Sequence, residues 1–481
     1  MRRALSIPGV WLLCVLAMAS VRCGPTGVTT GDTKGGGGSG GAGADAGSGG
    51  TGGGGGGTDA GTGTGGGGGG GGGDTGGGGT TGGGGTTDGG GSTGGGGTGG
   101  GGGSGAPSAD CNGLMPGPLP AIVTHVEQYS TGSEQGFCDF AALPLGEGTG
   151  NVAMPVLVAS DHPGWNILNP SGAQIGGIGF WNGDLFQQPT GFIGYSGSSN
   201  NQVEVAQAFG ASGNFIRSTT VVGRGDAFAP DPNGGLFLVG HFAMSFGEQP
   251  SKKRVALMIN ADGTLRYGPF DFPNEAAIFG AGVDVKGRTL VILDGGPGRI
   301  SGLWMEANGK TPVVSSVFPI LTGFQPGQHT WFETSPLAFG GLAVRRMDAP
   351  SERSDEHRRT SQWVAVVRSG VATGDPVPDW LANRPNTRME FARGHRDAYA
   401  FLPWSADVSS CHQQLEIVAL SGAACGKIDF PIDDQPCRTH DLRLGFDGTV
   451  LQTLPADREK NTPPNSSVFT CTLRYWPGAL R

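Results

Sequence analysis

DPNGGLFLVGHF, residues 231–242, and VALMINADGTLRYGPFDF, residues 255–272, are the two stretches that decide the fold. The first is a tight turn, in which Asp231 and Asn233 can bond their own backbone and the glycines accept left-handed geometry, running into an apolar strand. The second is strand, turn, strand, with Asp262-Gly263 at the reversal. Neither has the 3.6-residue apolar rhythm of a helix.

Working outward, both patterns recur. Turn-then-strand segments begin at Thr149, Thr190, Asp231, Asp284, Ala338, His395 and Phe446. Strand-turn-strand segments begin at Gly164, Val203, Val255, Gly302, Trp363, Leu415 and Phe469, alternating with the first set. A period of roughly 50 residues with four short strands per unit is that of propeller blades. The reading is an all-β chain: a β-propeller of about seven four-stranded blades, with six and eight as the neighbouring counts. Blades suit the length of this region, residues 107–481, because each small sheet buries its faces against its neighbours and no single oversized core is needed. Residues 121–129 are placed as the strand that completes the last blade beside residues 469–475, closing the ring and removing an open edge.

The pair at 231–242 and 255–272, repeated as DVKGRTLVILDG from Asp284 and GLWMEANGK from Gly302, resembles the bacterial β-propeller repeats of the SBBP type. The likeness is best over about residues 226–318. It implies an architecture and transfers no catalytic residue, since propellers host binders and enzymes alike.

Upstream, Thr33 to Gly105 is almost pure glycine with scattered Thr, Ser, Asp and Ala. Such a tract has nothing to bury and is expected to be a disordered tether with a span on the order of 50 Å. Residues 1–23 read as an export signal: Arg2 and Arg3, an apolar run from Val10 to Ala17, and a small-x-small site at Ala17-Met18-Ala19. The domain expectation is therefore signal 1–23, tether 24–106 and propeller 107–481.

Cys23 follows Ser20-Val21-Arg22 and is the candidate for lipidation, although Arg22 stands where Gly or Ala is usual. Pairing between two chains and ordinary cleavage after Ala19 are the alternatives. The remaining cysteines of the folded region are Cys111, Cys138, Cys411, Cys425, Cys437 and Cys471, an even set suited to disulfides in an exported protein. Two near its start and four near its end suggest that the chain ends are stapled, and Cys138 to Cys471 is one candidate pair. No C-x-x-C spacing or paired histidines mark a zinc site, and no metal or cofactor is expected.

Candidate ligand-binding residues are His329, His395 and His440, each read as preceding the first strand of a blade, with Glu333, Asp397 and Asp441 beside them and Arg224 and Arg396 nearby. Entry segments of that kind surround the mouth of a central channel, where an anionic or sugar-like ligand could be held, with a metal held by imidazole and carboxylate as the remoter alternative. The competing interpretation is that each bonds a turn in its own blade. Residues 345–359, rich in Arg, Asp and Glu, read as a solvated insertion able to grip a partner. Gly309-Lys310-Thr311 and Arg224-Gly225-Asp226 read as chance matches to a phosphate loop and an adhesion tripeptide.

With 31 Lys and Arg against 40 Asp and Glu the chain carries a formal charge of −9, and no basic stripe with interleaved aromatics is present. Nucleic acid is excluded as an expected partner. The expected role is recognition of a protein or carbohydrate by an exported monomer, secreted or held at a bacterial outer membrane or cell surface, touching membrane only through a lipid anchor. An extracellular hydrolase or lyase with its site at the channel mouth, and a structural envelope component, are the alternatives.

Overall fold

The computed structural model describes residues 109–114, 117–131, 143–146, 149–158, 162–178, 184–197, 203–243, 251–325, 329–349, 360–392, 398–403, 413–430, 441–453, 457–458 and 467–480. The expected signal, the glycine tract and Cys23 lie outside them.

The first strand among the described residues, β1 (Val123–Thr131), belongs to the last blade. Blade 1 is β2 (Leu143–Pro144), β3 (Val152–Val158), β4 (His162–Leu168) and β5 (Gln174–Ile178). Blade 2 takes β6 (Asp184–Gln188), β7 (Gly191–Gly197), β8 (Val203–Gly210) and the first half of β9 (Phe215–Pro230). The second half of β9 opens blade 3, followed by β10 (Gly235–Ala243), β11 (Val255–Asn260) and β12 (Leu265–Asp271). Because β9 changes partners near Val222, from β8 to β10, two blades share one seven-stranded sheet.

Blade 4 is β13 (Ile278–Val283), β14 (Thr289–Asp294) and β15 (Arg299–Glu306), with β16 (Val313–Val314) and β17 (Phe318–Thr322) sharing the outer position. Blade 5 is β18 (Thr330–Pro336), β19 (Leu342–Asp348) and β20 (Thr360–Val367), and the bridge Val366–Asp375 and the one-turn helix α1 (Asp379–Ala382) stand in its fourth place. Blade 6 is β21 (Thr387–Ala392), β22 (Ala398–Pro403), β23 (Gln413–Ala419) and β24 (Ala424–Phe430). Blade 7 combines β25 (Asp441–Leu444), β26 (Val450–Thr453) and β28 (Ser467–Trp476), flanked by the short β27 (Asp457–Arg458), with β1 from the other end of the chain. The closing register runs from Val123 opposite Tyr475 to Thr131 opposite Ser467, which is the pairing anticipated for residues 121–129.

The core sits between blades. Seven apolar clusters each join one blade to the next, and the last joins Leu451, Leu473 and Tyr475 of blade 7 to Val152, Met154 and Leu168 of blade 1. The period of two in a strand does the sorting. Leu290 and Ile292 of β14 face blade 5, while Val291 and Leu293 face blade 3. Strands buried on both faces are nearly continuously apolar, as in TLVILD, and show no polar alternation.

Polar ties span the same junctions. Asp284 Oδ1 accepts from the N–H groups of Lys286 and Arg288 in its own turn, and its Oδ2 accepts from the N–H of Gly341 in blade 5 at 3.0 Å. Gly287, at φ +74, supplies the left-handed residue that this turn needs. Tyr399 of blade 6 accepts from the N–H of Ala338 in blade 5 at 3.0 Å, and Asn233 of blade 3 donates to Val285 O of blade 4 at 3.1 Å.

Cys111 and Cys425 form a disulfide, with both cysteines buried, joining the start of the described chain to β24. The expected stapling of chain ends is present, through this pair. Cys138, Cys411 and Cys437 lie outside the described residues, as does the side chain of Cys471. Among the described residues no helix is long and apolar enough to cross a membrane.

Candidate functional site

Alternation of strand direction gives the ring two unlike faces. One carries the turns between first and second and between third and fourth strands, which are short and bonded onto themselves: Gly234 N–H to Asp231 O, Gly263 N–H to Asn260 O, Gly287 N–H to Asp284 O and Gly448 N–H to Gly445 O, all at 2.9 Å. Apart from residues 307–317, which hold β16 on the way to β17, and 368–378, which lead to α1, these connections are no longer than residues 145–151. The opposite face receives the second-to-third connections and the passages from blade to blade. There the long segments 132–142, 244–254, 349–359, 404–412, 431–440 and 454–466 leave the strands. We call these the turn face and the loop face.

His329 immediately precedes β18 and residue 440 precedes β25, so both are at first-strand entries on the loop face. Residues 393–397, which include His395, Arg396 and Asp397, instead fall in sequence between β21 and β22, the first and second strands of blade 6. The segment from His395 leads into a second strand, not a first: the inner strand TRMEFA is short and carries no repeat signature, so it escaped the sequence pattern. His395, Arg396, Asp397 and His440 lie outside the described residues. Asp441 begins β25 and Arg224 lies in β9 opposite His241, with neither side chain described.

Glu333, on the inner strand β18, is the described carboxylate of the set. It pairs with the Arg345 guanidinium, which is 2% exposed, and accepts from Trp331 Nε1 at 3.2 Å. Burial would raise this carboxyl, but the charge and hydrogen bond of Arg345, aided by Trp331 and Arg388, outweigh it and hold Glu333 below its ordinary range. Arg345 also donates to Thr387 O of blade 6, and Arg388 of blade 6 donates to Leu442 O of blade 7. The guanidiniums thus stitch three successive blades at their inner strands. Sequence had assigned Arg345 to the solvated insertion; β19 instead runs on through Asp348, and only residues 350–359 between it and β20 lie outside the described residues.

A cleft of about 430 Å³ opens on the loop face between blades 4 and 5. Phe324, Gln325, Arg346, Gln362 and Trp363 are among its lining. The Arg346 guanidinium lies over the Phe324 ring at 4.8 Å, and its Nε is 2.7 Å from Asp348 Oδ2. A fixed cation, two amides and an aromatic floor make a surface able to hydrogen-bond a polar ligand. No composition signal marked it, because Phe324 and Gln362 meet only when two blades pack. The adhesion-like Arg224-Gly225-Asp226 lies within β9, where Asp226 pairs with Arg254 Nε at 2.6 Å. Among the described residues no group of three or more His, Cys, Asp or Glu is placed to hold a metal ion.

No family model and no curated protein matches the chain. Among solved structures it is similar to a complex of KlAtg21 with the coiled-coil of AgAtg16, at 11% identity and TM-score 0.36, covering 59% of this chain and 82% of that one. It is also similar to Chaetomium thermophilum Raptor, at 9% identity and TM-score 0.33, covering 70% of this chain but only 28% of that one. A eukaryotic initiation factor matches at 10% identity and TM-score 0.25, covering 58% and 75%. The class defined here is the seven-bladed β-propeller, a fold that hosts binders and enzymes alike.

Proposed function

We propose that this chain is an exported recognition module, held at a bacterial surface by its glycine-rich segment, that binds a protein or carbohydrate on the loop face. The observation that carries this reading is the asymmetry of the ring. Seven blades locked by apolar clusters and turn-face hydrogen bonds form a rigid base, while the long connections and the cleft lined by Arg346 and Gln362 gather on the other side. Rigid scaffolds that concentrate long loops on one face use them to grip partners. The net charge of −9 favours protein or neutral sugar over nucleic acid. Units within residues 226–318 are read as diverged SBBP-type repeats, and Cys23 as the lipid-bearing residue of a monomer.

The test is binding of the mature chain to arrays of surface polysaccharides and envelope proteins, with two variants run in parallel. Replacing residues 350–359 by a short Gly-Ser linker is expected to abolish the signal. Substituting Phe339→Ser on the turn face, where the ring is 77% exposed, is expected to leave it intact. Binding that survives the first change and is lost in the second overturns the assignment of faces. Fatty-acid labelling that depends on Cys23 tests the anchor separately.

A further inference from the structure

We infer that the Cys111–Cys425 disulfide is the load point of the tether: it passes tension from the N-terminal segment straight into blade 6 and keeps it off the closing strand β1. The inference rests on reading residues 24–106 as a tether to a surface.

The described chain begins at Ala109 on the turn face. Residues 109–111 form a short 3-10 turn, Ser421 donates to Asp110 Oδ2 at 2.7 Å, and Cys111 bonds Cys425 at the start of β24. Cys111 is completely buried, packed in the cluster between blades 6 and 7 with Ala400, Ile417, Ile428 and Trp476. Residues 112–122 then cross to β1, which starts at the turn face and runs toward the loop face. The described chain thus enters on the face opposite the long connections, and a ligand held on the loop face would load it through either Cys111 or β1.

Two routes could carry that pull. Through the backbone it reaches β1 first. That strand is the outer edge of blade 7, its ladder is with β28, and Val126 on it is 53% exposed. Its loss removes the ring closure and bares the edge of β28. Through the disulfide it reaches β24, which is paired to β23 and packed between two blades. The covalent route bypasses the sequence separation of 314 from Cys111 to Cys425, so β1 is unloaded while the bond stands. An edge strand that closes a ring is the element most exposed to tension from the chain that precedes it, and the bond lies just upstream of it.

The experiment is tweezers pulling of the full mature chain between one handle at its N-terminus and a second attached at Ala349, where β19 ends on the loop face. In the oxidised protein the first event is expected to lack any short step, because the segment holding β1 is enclosed by the bond. In Cys111→Ser with Cys425→Ser, an early step at lower force is expected, releasing about 20 residues, roughly 70 Å of chain, as β1 leaves β28. Molecules reduced while unfolded and refolded in reductant should gain the same step, without any substitution. A short step already present in the oxidised protein, or its absence from both reduced and substituted proteins, overturns the inference. Array binding by the same double variant at zero force is expected to be unchanged, so failure of this inference is separable from failure of the recognition reading.

Discussion

The Asp447 carboxylate in blade 7 accepts a hydrogen bond from the backbone N–H of Gly150 in blade 1 at 2.7 Å, across 297 positions of sequence. Its other oxygen accepts from Thr449 N–H at 2.9 Å within its own turn. Asp284 does the same between blades 4 and 5, reaching Gly341. One aspartate therefore shapes a turn and fixes the angle to the next blade. Alanine at either position leaves buried N–H groups without an acceptor, which costs about 2–3 kcal/mol. Urea unfolding of Asp284→Ala and Asp447→Ala should show a lower midpoint with an unchanged slope. Asparagine, which retains one acceptor oxygen, should lie between.

Glu333 gives a pH signature. Its carboxyl is held below the ordinary 4.5, so the stabilisation from its pairing with Arg345 is present in full above that value and is lost as pH falls through the lower, folded-state value. Glu333→Gln should be less stable than wild type at neutral pH, and the gap should close as pH falls through the lowered folded-state value of Glu333. A gap of constant size across a pH series of thermal melts would remove the ion pair as its cause.

Arg345→Met should be tolerated better than Arg345→Ala. Both remove a buried guanidinium facing Glu333, but methionine refills the space beside Trp363, over which the Arg345 guanidinium carbon sits at 5.5 Å. Loss of one partner of a buried pair costs about 3–5 kcal/mol, and the alanine variant is expected at that end of the scale in denaturant unfolding.

Removing the disulfide with Cys111→Ser and Cys425→Ser should lower stability by about 2–5 kcal/mol, since the bond constrains a very long loop of the unfolded chain. The check is the denaturation midpoint of the variant against that of the oxidised wild type. Equality of the two would show that the bond contributes nothing at equilibrium.

Ligand binding should distinguish the cleft from the connection between β21 and β22. Arg346→Ala together with Gln362→Ala, in the loop-face cleft, is expected to weaken array binding at least tenfold. His395→Ala, between β21 and β22, is expected to leave it unchanged. Loss of binding on changing His395 alone would move the site to that connection.

Much of this architecture is written in local chemistry. The turn residues at Asp231, Asp284 and Phe446-Asp447-Gly448, the apolar second strands that follow them, and the strand-turn-strand units behind them are visible because a buried strand must be apolar and a tight reversal needs Asp, Asn or Gly. The ring-closing role of β1 could be anticipated too, since a closed ring requires one more strand at the far end. The inner strands were not legible. Leu143–Pro144, Asp184–Gln188 and Asp441–Leu444 are only two to five residues long and carry no turn-strand signature. Losing sight of them put His395 at a first-strand entry when its segment joins the first strand to the second.

The residues on their own determine that the chain folds as a repeating all-β array, where its turns fall, and that its two ends meet. Sequence order reports only on neighbours a few positions apart, and a strand's apolar faces and a turn's hydrogen bonds are settled at that range. Packing of the blades decided which carboxylates become inter-blade ties, that Arg345 is buried and not solvated, that Cys111 pairs with Cys425, and which face each connection reaches. Those outcomes depend on distances between groups tens to hundreds of positions apart, and only closure of the ring brings them together.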